Sequence, residues 1–247
     1  MDNRSLAGHK FHRFLDEAGD TTFYGKRKIP IIGSKGVSNY FIIGMLKIHE
    51  PLNIVRLKIV ELQNLISSDP YFSEVVSINK KKISTGYRLH ATDDIPEVRK
   101  LAFELIKSLN CSFEAVVGRK DYSIYERKHN GNQAEFYADM LSHLLHENLH
   151  ETDELVLNIA KRSSCTNHLN LEKGIQKAQQ ISKKKFGNSI SSCRVVFNVQ
   201  KPSTEPIINV TDYFLWALQR KLERSEIRFY KFIEAQIESI KYLYAES

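Results

Sequence analysis

The sequence predicts an α/β domain built on a mixed sheet flanked by helices, with a helical extension at its C-terminus. Three observations carry this. An alternating apolar segment, Phe11 to Asp20, ends in a glycine turn. Strand-like and helix-like segments alternate after it. No shift in composition divides the chain, so residues 1–224 form the main domain and 225–247 extend it.

The elements follow in order. Phe11–Asp20 reads as a strand, and Thr21–Tyr24 as a short partner to it. Residues 25–38 are basic and glycine-rich and read as a loop, and Tyr40–Ile48 as a strand. Val55, Ile59, Leu62 and Ile66 recur at helical spacing within Pro51–Ser67. Residues 69–86 give no clear period, and Tyr87–Ala91 has the composition of a short strand. Asp94 is placed to cap a helix with Pro96 in its first turn, running to about Leu109. Cys111–Gly118 reads as a strand, Asn132–His150 as a helix and Glu154–Ala160 as a strand. Residues 167–185 read as a helix, Ser192–Val199 as the last strand, and Ile208–Arg224 as a helix. A further helix is expected over 225–244, with Phe229, Ile233, Ile237, Ile240 and Tyr244 as its apolar stripe.

Composition narrows the function classes. The chain has 247 residues, 42% hydrophobic and 26% charged, which excludes disordered, collagen-like and disulfide-scaffold proteins. The net charge of +7 is compatible with a polyanionic partner without demanding one. Cys111, Cys165 and Cys193 are too scattered for a metal knuckle or redox pair and fit a reducing cytoplasm. The polar first ten residues lack a secretory signal, and no apolar run approaches the ~18 residues of a membrane span. A cytoplasmic protein without membrane contact is expected. A glycine-rich phosphate loop and a Gly-x-Ser-x-Gly elbow are both missing, which argues against an NTPase and a serine hydrolase.

Two segments carry candidate chemistry. Leu15-Asp16-Glu17-Ala18-Gly19-Asp20 ends an apolar strand with adjacent acids. Acids on a buried strand are costly unless paired, hydrogen-bonded or bound to metal. Asp16 and Glu17 point to opposite faces while the strand stays regular, and line one edge only if it breaks at Ala18-Gly19. The same residues are also ordinary turn chemistry. In the second segment, Ile208, Leu215, Leu218 and Leu222 form the apolar stripe of a helix, with Asp212 at its shoulder. A carboxylate there either complements the helix dipole or points into a cleft as a ligand.

Together, Asp16-Glu17-Ala18-Gly19 and Thr211-Asp212-Tyr-Phe-Leu-Trp-Ala-Leu-Gln-Arg220-Lys221 resemble the hallmarks of the bacterial domain-of-unknown-function 3800 family. The likeness spans about residues 10–224 by order of elements, and only these two motifs are specific. It implies an RNase H-like fold and a Mg²⁺- or Mn²⁺-dependent nuclease, some relatives serving defence or mobile elements. Asp16 then becomes the bridging metal ligand, Asp212 completes the site, and Glu17 is a third ligand. His90, in Leu89-His90-Ala91-Thr92-Asp93, stands where the family often carries a histidine, suited to phosphate contact or proton transfer. A lone histidine is also often structural. Many RNase H-like sites carry another acid on a middle strand, where this chain has Asn158 and Ala160. Asp93, Asp94 and Asp121 are the other acids available, and none matches a motif.

The implied partner is RNA or DNA, bound without sequence specificity. Basic clusters at Lys26, Arg27, Lys28 and Lys35, at Lys80–Lys82 and Arg88, and at Lys161, Arg162 and Lys183–Lys185 suit a polyanion, though charge runs are usually solvated surface. The runner-up is a catalytically weak nucleic-acid-binding or protein-effector subunit of the same fold. A third reading comes from His146-Glu147-Asn148-Leu149-His150, which matches the HExxH zinc-metalloprotease pattern. The wheel sets His143, His146, His150 and Asp139 on a polar face, so His146 and His150 are expected to be exposed and to lack a third ligand. The 225–244 stripe is expected to be buried, either on the domain or across a homodimer.

Overall fold

The computed structural model describes residues 10–84, 86–150, 154–161, 168–186, 193–201 and 204–244; Cys165 lies outside them. The sheet has six strands in the order β5-β4-β1-β2-β3-β6. These are β1 (Lys10–Ala18), β2 (Tyr40–Ile48), β3 (Cys111–Arg119), β4 (Glu154–Ala160), β5 (Arg194–Gln200) and β6 (Ile237–Leu243). The first three form an antiparallel meander. β4 adds parallel to β1, β5 parallel to β4, and β6 parallel to β3.

Strand alternation divides the core into two layers. Phe14, Ala18, Ile42, Leu46, Phe113 and Ala115 pack on one face against α1 (Leu52–Ser68), α3 (Pro96–Ser108) and α7 (Ile207–Arg224). Leu15, Ile43, Met45, Val116 and Leu157 pack on the other, against α4 (Tyr122–His129), α5 (Gln133–Leu145) and α6 (His168–Phe186). The remaining helices, α2 (Val76–Ser84) and α8 (Arg228–Ile233), are short. No described helix is long and apolar enough to cross a membrane.

α7 runs from the sheet centre to the surface. Every residue from Ile207 to Leu218 is buried, and only the polar last turns emerge. Its approach to the sheet depends on Gly44. A Cβ there would come within 2.5 Å of the Phe113 ring and 2.9 Å of Leu215 Cδ2. Gly44→Ala is therefore expected to cost ~1–3 kcal/mol through overpacking, read as a lower urea midpoint at unchanged slope.

The C-terminal segment corrects the expectation of a helical extension over 225–247. Ser225 ends α7 in the left-handed region, α8 is six residues long, and the chain then extends as β6. A register shift beside Phe113 inserts one extra residue, so Ile237 and Ile240, three apart, both reach the face of Phe113 and Ala115. Ile233 is buried, and Phe229, Ile237 and Ile240 pack on the first core layer. Of the stripe only Ile233 is fully buried, the other four being half-buried on their own domain, and the described residues contain no long C-terminal helix. Residues 21–24 differ from expectation too. They form no partner strand to β1, and the isolated bridge there joins Tyr24 to Pro30. Residues 87–91 form no strand either.

The end of β6 is pinned by a buried acid. Asp139 of α5 accepts from Lys128 Nζ at 2.9 Å and from the Tyr244 hydroxyl, with His129 Nε2 at 3.3 Å. Burial works against its ionisation, but His129, Tyr244 and Lys128 outweigh it and hold its pKa well below the usual carboxylate range. A depressed folded pKa gives stability that is complete above the unfolded value of about 3.9 and lost as pH falls towards the folded one. The thermal midpoint is expected to drop below about pH 4, with a shallower acid limb in Asp139→Asn.

Candidate functional site

Asp16 sits on β1 opposite Gly44 of β2 and is 3% exposed. Alternation puts it on the face of Phe14 and Ala18, beneath α7. Thr211 Oγ1 of α7 donates to the Phe14 carbonyl at 3.4 Å, and Leu215 lies over Gly44. Asp16 is therefore bracketed by the turn of α7 that carries Asp212. The two acids, remote in sequence, thus lie on the same side of the sheet, one on β1 and one on the helix packed over it. Asp16 Oδ1 accepts the Glu17 N–H at 2.8 Å, and Asp212 Oδ2 accepts the Ala91 N–H at 2.8 Å.

Glu17 takes the other side. β1 remains regular through Ala18, and Glu17 pairs with Ile43 on the face of Leu15 and α5. The break comes at Gly19, within the expected Ala18-Gly19 step, where φ is +81°, too late to turn Glu17. Glu17 is therefore not placed with Asp16 and Asp212. Among the described residues, no three His, Cys, Asp or Glu side chains are grouped to hold one metal ion. Two carboxylates from separate elements still suit a hard divalent cation, which retains several waters.

Asn158 of β4 shares the face of Asp16. Its Nδ2 donates to the Arg13 carbonyl at 3.2 Å, and its Oδ1 accepts from Asn198 and Gln200, each at 3.1 Å. The middle-strand position thus holds an amide ladder. The other acids are committed elsewhere. Asp121 caps α4 through the Ile124 N–H. Asp94 does not cap α3, whose N-cap is Ile95. Its buried carboxylate turns back to accept from the Tyr87 hydroxyl (2.9 Å), the Tyr213 hydroxyl (2.7 Å) and the His90 N–H (2.7 Å). That node fixes the 87–94 loop against α7 and presents the Ala91 N–H to Asp212.

His90 is half-buried, its side chain 43% exposed, with Nδ1 3.2 Å from Asp93 Oδ2. It directly precedes the amide that binds Asp212.

An open cleft of about 720 Å³ lies beyond the acid-bearing stretches of β1 and α7, lined by Gly19, Asp20, Thr92, Arg99, Trp216, Arg220, Glu223 and Arg224 among others, with neither Asp16 nor Asp212 in its wall. Asp20 accepts from Ser38 and Thr22 and meets the buried Lys120 ammonium at 3.2 Å. Burial opposes its ionisation, but Ser38, Lys120 and Thr22 prevail and lower its pKa. Sequence reasoning missed this cleft. Its arginines come from two helices, and the only sequence signal was the polar end of α7.

The histidine motif has a different geometry from the one expected. α5 ends at Leu145, and Asn148–His150 form a separate 3₁₀ turn, so His146 and His150 do not share one α-helix. His146 is buried, contrary to expectation, with Nδ1 3.0 Å from the His143 carbonyl and Nε2 3.4 Å from Glu147. The supposed polar face is covered because β6 and α4 close over Asp139 while α6 packs alongside. The side chain of His150 lies outside the described residues.

No protein-family model matches the chain, and no curated protein matches it.

Proposed function

We propose that the protein is a metal-dependent nuclease of RNase H-like fold, hydrolysing phosphodiesters of RNA or DNA at Asp16 and Asp212. The observation that carries this reading is the acid pair: two buried carboxylates from opposite ends of the chain, on one face of the sheet, beside an arginine-lined cleft. The antiparallel β1–β2–β3 meander, with parallel β4 and β5 added beside β1, supports the fold assignment. So do the two motifs shared with the domain-of-unknown-function 3800 family.

The chemistry that a bound Mg²⁺ or Mn²⁺ would supply here is activation of a water and charge stabilisation at the leaving oxygen. Asp16 and Asp212 would hold the ion. The Ala91 N–H orients Asp212, and the Glu17 N–H orients Asp16. His90 stands at the rim to contact phosphate or carry a proton. Labelled RNA and DNA oligonucleotides should be cut with Mg²⁺ or Mn²⁺ and spared with EDTA. Intact strands under every metal condition would overturn the reading.

Asn158 favours a second reading. Its amide ladder stands where a further ligand is usual in this fold, which suits a catalytically weak subunit that binds nucleic acid. Strand binding without metal-dependent cleavage would select it.

A further inference from the structure

We infer that the cleft beside the acid pair seats a backbone phosphate of a nucleic-acid strand, gripped by Arg99 of α3 and by Arg220 and Arg224 of α7. The inference deepens the nuclease reading and rests on it for the kind of polymer bound.

Arg99 and Arg220 are held in place before any ligand arrives. The guanidinium groups of Arg99 and Arg220 lie over the Trp216 ring, 4.8 and 5.0 Å from its centroid. Arg99 also donates from Nε to the Ala91 carbonyl at 2.7 Å and from Nη2 to the Thr92 carbonyl at 3.3 Å. Stacked, anchored guanidiniums lose little freedom on binding, and their planar N–H edges match phosphate oxygens.

Arg99, Arg220 and Arg224 share the cleft with two carboxylates, Asp20 and Glu223, each turned towards other donors. Glu223 is occupied by the Asn39 and Tyr40 N–H groups, and Asp20 by Ser38, Thr22 and Lys120. Glu226 reaches Arg220 at 3.2 Å. Arg224, one turn further along α7, is exposed. Burial lowers the pKa of Arg220, the Arg224, Arg99 and Arg228 charges add to this, and Glu226 only partly offsets them. An anion among them relieves that repulsion.

Position selects a strand over a free ion. Gly19 and Asp20 directly follow β1, and Trp216 lies one turn beyond Asp212, so the cleft continues from the two stretches of chain that carry the acids. The cleft is open, which suits a continuous polymer. Ala91 joins the two places: its N–H holds Asp212, and its carbonyl holds Arg99. Trp216 is buried under the arginines and offers no stacking face to a base, so the grip is indifferent to sequence.

The test is fluorescence anisotropy of labelled 12-nucleotide RNA and DNA strands in EDTA, across a salt series. Arg224→Gln should weaken binding about three- to tenfold, and the pair Arg220→Gln with Arg224→Gln about thirtyfold. The salt slope should fall by roughly one per arginine, alike for unrelated sequences. Circular dichroism confirms that the variants fold, and Arg224→Gln alone decides if the double variant does not. Wild-type affinity and slope in a folded Arg224→Gln variant would overturn the inference, as would absence of strand binding by the wild type. Displacement of the strand by micromolar inorganic phosphate would also overturn it, marking a free-phosphate site. The same preparations scored with Mn²⁺ separate the two readings. Weakened binding in the variants without wild-type cleavage sinks the nuclease and leaves the cleft. Cleavage by the wild type with unaltered variant binding does the reverse.

Discussion

Replacing Asp212 by Asn is expected to lower metal-dependent cleavage about a thousandfold while leaving the fold intact. Losing one carboxylate from the ion is worth several kcal/mol, and each 1.36 kcal/mol is a factor of ten in rate. The fold survives because the amide oxygen of Asn still accepts the Ala91 N–H that Asp212 Oδ2 accepts now. Asp16→Asn should behave alike, since its amide oxygen can still take the Glu17 N–H. Glu17→Gln is the informative control, because Glu17 lies on the opposite face of the sheet and should leave the rate near wild type. Single-turnover cleavage with Mn²⁺, alongside thermal melts, measures all three. Full activity in Asp212→Asn would end the assignment. A loss in Glu17→Gln equal to that in Asp16→Asn would mean that the end of β1 rearranges to bring both acids to one ion.

The elements that carry the two acids were legible because each is a local pattern. Asp16 lies in an apolar strand, and Asp212 sits on a strongly amphipathic helix. Strand alternation even posed the question about Glu17, and the regular pairing through Ala18 answers it. Tyr40–Ile48 and Glu154–Ala160 have the bounds read from their β-branched runs. Features made by distant partners were not legible. Phe229, Ile233, Ile237, Ile240 and Tyr244 have helical spacing, and only pairing with β3 reveals that a bulge reconciles that spacing with a strand. The wheel of α5 assumed solvent around Asp139, whereas Lys128 and Tyr244 cover it from elsewhere in the chain. The arginine cleft needs α3 beside α7, which no linear pattern announces.

Asp94→Ala is expected to be the most destabilising single change near the site, and its reason was hidden in the same way. Asp94 two residues before a proline reads as a helix cap, yet its partners include Tyr213, 119 residues away. The alanine variant leaves the Tyr87 and Tyr213 hydroxyls and the His90 N–H without their common acceptor. Each buried group so abandoned costs ~1–3 kcal/mol, giving about 3–5 kcal/mol together, since the loop can relax towards water. That is a large share of the ~5–15 kcal/mol typical of a domain. Asp94→Asn keeps an acceptor oxygen and should lose far less. The damage should also reach the chemistry, because the loop released is the one that holds Asp212 through Ala91. Urea unfolding gives the stability, and hydrogen exchange at the Ala91 amide reports the loop. Faster exchange at Ala91 should accompany slower cleavage in Asp94→Ala even at temperatures where the rest of the domain stays folded. A wild-type urea midpoint with Ala91 still protected would show that packing alone fixes the loop, and that the carboxylate node is dispensable.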